Sequence, residues 1–163
     1  MGNFSFDKAA MSEYINKLAK LGNAAPKAAS KALYAATKIY ADELRRQTAA
    51  LPTQEGLAAK GSMIHVSSKK QKEALLQSID IYTVKSKKAG MRTMSVGFVG
   101  YNSIQTQKYP KGQPNRMIAG SVNSGSSVRE KTPFVRQTVK ATKPQCIAAM
   151  KAAVDTDFNK IIK

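Results

Sequence analysis

Hydrophobic positions recur with helical spacing at both ends of the chain and alternate only in its middle. Near the C-terminus, Ile147, Met150, Val154, Phe158 and Ile161 follow one another at intervals of three, four, four and three. That is one stripe of a 3.6-residue helix, and Phe158 in its middle is expected to be a core residue. Thr132-Pro133 predicts the helix start, with Thr132 as N-cap and Pro133 at the first helical position, where a missing N–H is harmless. Pro144 predicts a kink or short break, with Thr142 available to cap the helix beyond it. At the other end, Asp7 can cap a first helix carrying Met11, Ile15 and Leu18 along one side and stopping at Gly22-Asn23. A second helix is predicted from Pro26 to about Leu51, before Pro52, with a stripe of Ala29, Leu33, Ala36, Tyr40 and Leu44. Its many alanines (Ala28, Ala29, Ala32, Ala35, Ala36) would let another element approach closely.

Between these helices the period falls to two. Ile79, Ile81 and Thr83 alternate with Asp80, Tyr82 and Val84, and Met94, Val96 and Phe98 alternate with Ser95, Gly97 and Val99. Two such runs around a Gly-containing connection predict an antiparallel hairpin. Met117, Ile118, Ala119 and Val122 predict a third short strand after a long polar loop over 102–116. Residues 52–73 show no sustained period and are expected to form a loop, with at most a helical turn. The expected organisation is one α+β domain over 1–163, a small antiparallel sheet packed against a long N-terminal helix and a C-terminal helix, with long loops. Its parts are a helical portion over 7–51, a loop or insertion over 52–74, a β-rich portion over 75–122 and a C-terminal helix over 132–162.

Charge changes this picture more than composition does. Lys and Arg number 27 against 10 Asp and Glu, a net +17 in 163 residues. The excess is spread: +4 over residues 1–51, +5 over 52–100 and +8 over 101–163. A basic tail is thereby excluded, and a surface positive throughout favours polyanions or acidic protein partners. No apolar run approaches the ~18 residues that would span a membrane. The N-terminus shows no apolar signal core, and Phe6 stands where a myristoylation pattern wants Ser or Thr. The expectation is a soluble, unsecreted chain with no membrane partner.

Candidate chemistry is sparse. His65 is the only histidine and Cys146 the only cysteine, which excludes an internal disulfide and any His/Cys zinc pattern. Cys146 sits in a predicted helix and reads as a small core residue. Gly97-Phe98-Val99-Gly100 lacks the Gly-Lys-Ser/Thr continuation of a phosphate loop. Continued to Tyr101, it is only a faint echo of an RNA-recognition strand. Asp155 and Asp157, two apart, cannot share a helix face for a metal. No catalytic residue, metal ligand or cofactor is therefore assigned, and the chain is expected not to be an enzyme.

Three segments resemble, in order, the neck or tail-completion proteins of long-tailed bacteriophages, the gene-ten-like family of head–tail joining minor tail proteins. Ala32-Leu33-Tyr34-Ala35-Ala36 and the helix running to Pro52 resemble the family's long N-terminal helix. Leu75-Leu76-Gln77-Ser78-Ile79 resembles its Leu-x-x-Ser-Ile entry into the first strand, Ser95-Val96-Gly97 the Val-Gly of its second, and Thr132-Pro133-Phe134-Val135-Arg136 its closing segment. The resemblance implies an α+β protomer of the virion, made in the host cytoplasm, that assembles as a ring at the head–tail junction without catalysis. Its partners would be further copies of itself, head connector and tail-end proteins, with packaged DNA passing through the opening. Apolar or aromatic residues in loops are the candidate assembly contacts: Leu57, Met63, Ile64, Tyr109 and Met117. Lys69, Lys70, Lys72, Lys85, Lys87, Lys88 and Arg92 are the candidates for phosphate or acidic-partner contacts. The alternative reading is a non-specific basic DNA-binding protein, since phosphate contact requires no motif.

Overall fold

The structure, a computed structural model, describes residues 12–53, 68–84, 92–127 and 129–161. Asp7, Met11, Leu57, Met63, Ile64, His65, Lys85, Lys87 and Lys88 lie outside the described residues. The described elements are α1 (Ser12–Lys20), α2 (Ala25–Ala49), α3 (Lys69–Gln77), β1 (Ile79–Val84), β2 (Thr93–Phe98), α4 (Asn115–Ser124) and α5 (Phe134–Ile161). This is an α+β fold in which a two-stranded antiparallel sheet packs on the long helix α2.

Helix α1 stops where the sequence predicts. Gly22 adopts a left-handed φ of 49°, which an L side chain would resist. A short 3₁₀ turn, Gly22–Ala24, then leads into α2. Along α2 the buried positions are Ala28, Ala32, Ala36, Tyr40, Leu44 and Thr48, with Ala41 beside them. Along α5 they are Phe134, Thr138, Thr142, Cys146, Met150 and Val154. Both sets step by four residues, so the facing ridges are the i±4 rows. The helices run antiparallel: Cys146 Sγ lies 3.3 Å from the Ala36 carbonyl, and Lys31 Nζ lies 2.8 Å from Asp157 at the other end. Alanines on α2 permit this approach, as their sequence density predicts. Buried threonines satisfy their hydroxyls within the helix, Thr48 on Leu44 O, Thr138 on Phe134 O and Thr142 on Thr138 O.

Three details of α5 differ from expectation. The helix continues unbroken through Pro144, which is exposed, so the carbonyl it deprives of a partner can face water. Thr142 therefore caps nothing. The start is capped from outside: Val135 N–H donates to Asn123 Oδ1 of α4 at 3.1 Å, while the Pro133 carbonyl accepts from Gln137 N–H. Phe158 and Ile147 are only half-buried, because the facing row on α2 meets Cys146, Met150 and Val154 instead.

Two segments read as loop or strand are helices. Lys69–Gln77 forms α3, opened by a capping box in which Ser68 Oγ accepts from Gln71 N–H and Gln71 Oε1 accepts from Ser68 N–H. Leu75, Leu76 and Gln77 thus close a helix, and β1 begins only at Ile79. Met117–Val122 lies within α4, whose core face is Ile118, Ala119 and Val122. The strand expected there is absent, and among the described residues the β-rich portion is the β1–β2 pair. In that hairpin Ile79 pairs with Phe98, Ile81 with Val96 and Thr83 with Met94. Ile79, Ile81, Val96 and Phe98 join the core, with Phe98 edge-on to Phe134 at 6.0 Å between ring centroids.

A candidate interaction surface

The segment from Val99 to Asn115 leaves β2, runs out and returns to the start of α4. Its two ends are tied by a bridge between Tyr101 and Pro114 and by Asn115 N–H to Gly100 O. Asn102, though polar, is buried and organises the interior. Its Oδ1 accepts from Ile104 N–H at 3.0 Å and Gln113 N–H at 2.9 Å, and its own N–H donates to Gln113 O. Gly112 makes the return possible, with φ at 100°. A Cβ built there would sit 1.9 Å from the Asn102 carbonyl oxygen, so both conformation and space require glycine.

A polar chain anchors this loop to α3. Gln113 Oε1 accepts from Asn102 Nδ2 and Gln71 Nε2, and Gln71 Oε1 accepts from Arg129 Nη2. Burial lowers the Arg129 pKa, and among the described residues its Nη1 has no partner. Asn115 Nδ2 donates to Val99 O, while its Oδ1 is buried without a partner among the described residues.

Much of what this scaffold exposes is polar (Ser103, Gln105, Thr106, Gln107, Lys108, Lys111), with apolar and aromatic side chains beside it. Tyr101 is 67% exposed, Val99 42% and Met117 38%. Tyr109 Oη lies 3.1 Å from Met117 Sδ, and Lys108 Nζ stands 5.6 Å from the centre of the Tyr109 ring. Tyr109 and Met117, proposed from sequence as assembly contacts, are therefore brought together. Tyr101, the most exposed of the large hydrophobic residues described, was missed. Beside it a cleft of about 610 Å³ runs between α3 and residues 99–103, lined by Lys70, Glu73, Gln77, Tyr101, Ser103 and Asn115.

The basic candidates separate. Lys69 and Lys70 are exposed on the first turn of α3, and Arg92 is exposed ahead of β2. Lys72 instead donates to the Leu51 carbonyl at 2.8 Å, which makes it a tie between α3 and the end of α2. A cluster not evident in the sequence joins Lys27, Lys31 and Lys160 around Asp157, two helices meeting from opposite ends of the chain. Lys31, donating to Asp157, holds its carboxyl below the usual range.

Among the described residues, Cys146, Tyr40, Asp155 and Asp157 are buried or have structural partners. Cys146 is buried, its thiol pushed up chiefly by burial, and contacts Ala36 O. Burial, and then the neighbouring Cys146, raises Tyr40 to about 12. Asp155 and Asp157 diverge to Lys17 and Lys31. No cluster of metal-ligating side chains occurs among the described residues, and no described helix is long and apolar enough to cross a membrane. Of the two aromatics in the faint RNA-recognition echo, Phe98 is half-buried edge-on against Phe134 and Tyr101 is exposed. Comparison with protein-family models, with curated proteins and with solved structures finds no match.

Proposed function

We propose that the protein is a non-catalytic assembly component of a phage head–tail junction, forming a ring that joins head connector to tail. The observation that carries the reading is the Val99–Asn115 loop, a scaffold locked by Gly112 and Asn102 that holds Tyr101 outward and sets half-buried Tyr109 against exposed Met117 of α4. Rigid aromatic and methionine side chains on a preorganised backbone are what a protein interface uses as anchors. The +17 charge around them steers encounter toward acidic neighbours. The three-segment resemblance to neck proteins supplies the specific place of action.

The test is genetic and structural together. Deleting the gene from a phage that carries it should leave filled heads and finished tails unjoined, and labelled protein should mark the necks of purified virions. Normal joining in the deletion overturns the reading. A second reading, sequence-blind polyanion binding, is favoured by the charge and by the Lys27, Lys31 and Lys160 cluster. It predicts binding to duplex DNA that falls with salt at a log–log slope of about −0.9 per phosphate neutralised.

A further inference from the structure

The two edges of the β-hairpin are not alike. Val99 N–H donates to Ser78 O, which fixes the alternation of the ladder: residues 80, 82 and 84 bond to 97, 95 and 93, and residues 79, 81, 83, 94, 96 and 98 turn their main-chain groups outward. On the β1 side two of the six such groups have partners. Arg45 Nη2 donates to Ile79 O at 3.2 Å, and Ile81 N–H donates to the Asp80 carboxylate at 2.8 Å. Such blocking is how proteins keep an edge strand from pairing. On the β2 side the outward N–H and C=O of Met94, Val96 and Phe98 have no partner among the described residues.

Beside that open edge runs a groove of about 180 Å³ between β2 and α4. Val96, Phe98, Leu44 and Val135 give it an apolar floor, and Ala119 and Gly120 keep its α4 wall low. A Cβ added at Gly120 would meet nothing within 4 Å. A strand paired to β2 turns every second side chain toward this floor. Among the described residues, Arg116 is the only charged one lining the groove.

We propose that the open edge of β2 receives an extended, acidic segment of another protein, added antiparallel or parallel as a third strand. Main-chain pairing would supply affinity, and the groove would select apolar side chains at alternate positions. Charge decides the occupant: a second copy brings another +17 to a surface that already carries +17, whereas an acidic segment is drawn to it. Strand addition at this edge does not depend on the phage assignment.

The experiment uses the full chain, isotope-labelled, and a synthetic peptide of alternating valine and threonine flanked by glutamates. On peptide addition, amide exchange at Met94, Val96 and Phe98 should slow at least about tenfold, while Ser95 and Gly97, already in the ladder, change little. Met94→Pro removes one outward N–H without touching the β1 ladder and should weaken binding about tenfold. Gly120→Phe fills the groove from a position with open space and should weaken it at least as much with the fold intact. A lysine-flanked peptide should bind more weakly than the glutamate-flanked one. Unchanged exchange at the three amides overturns the proposal, as does equal affinity in Gly120→Phe or equal binding of the lysine-flanked peptide. Protection of the same amides in concentrated protein alone, with self-association lost in Gly120→Phe, would identify a second copy as the occupant and overturn the acidic assignment.

Discussion

The α2–α5 layer and the loop from Val99 to Asn115 are built on opposite principles. The helical layer gains its stability from close apolar packing along two facing i±4 rows, with each buried threonine hydroxyl satisfied inside its own helix. The loop buries little that is apolar. It is held by a buried asparagine, a glutamine chain and one glycine whose backbone abuts another backbone. The difference lies in what fixes each region: apolar contact holds the helices, which still expose Tyr34, whereas polar contacts and one glycine hold the loop that carries the more exposed Tyr101.

Substitutions should separate the two regimes. Phe134→Ala, in the layer where α5 meets the sheet, should cost about 3–5 kcal/mol in urea unfolding, as for a fully buried aromatic. Gly112→Ala should cost about 2–4 kcal/mol, because a Cβ there strikes the Asn102 carbonyl in a left-handed conformation. Its signature is local: faster amide exchange at Asn102, Gln113 and Asn115 before the helices open. Equal, global destabilisation by both would erase the distinction between layer and loop.

Helix ends offer finer tests. Phe158→Ala should cost only about 1 kcal/mol, since the side chain is half-buried beyond the facing row. A loss of about 3–5 kcal/mol would show that the α5 stripe reaches the core along its whole length. The smallest effect concerns Glu43, whose carboxyl is held down from 4.5 to about 2, chiefly by the Arg46 hydrogen bond and then by Gln47. A depressed folded pKa contributes stability above the unfolded value that is lost as pH falls from about 4.5 toward 2. Glu43→Gln should flatten the acid limb of the stability curve in that window only slightly, because the Arg46 side chain is largely exposed.

The helices of this layer were legible from apolar residues at helical spacing, although of the α5 stripe Met150 and Val154 are buried and Ile147 and Phe158 only half-buried. The alanines of α2, the alternation along β1 and β2 and the stop at Gly22 all follow from local residue types. The α2 stripe was nonetheless drawn one residue off at its start: Ala28 and Ala32 face α5, while Ala29 and Leu33 are half-buried. Helix α3 was hidden because Leu75 is its sole buried residue and lysines fill its first turn. The Ser68-x-x-Gln71 capping box was the readable signal. Helix α4 was misread because a short apolar run bounded by Pro114 and Gly125 suits a strand equally well; the spacing of Ile118, Ala119 and Val122 distinguishes it. The exposure of Tyr101 was not legible at all. It depends on Asn102 meeting Gln113 and Gly112 across the loop, a pairing no local pattern announces.

The most direct test of the central claim, that the locked loop is the assembly surface, is co-sedimentation of the protein with purified phage tails, read by negative-stain microscopy. The wild-type chain should pellet with tails and appear as a ring at one end. A Tyr101→Ala, Met117→Ala double variant with unchanged thermal stability should stay in the supernatant, its tails bare. Ring-capped tails with the double variant, or bare tails with the wild type, would contradict the account.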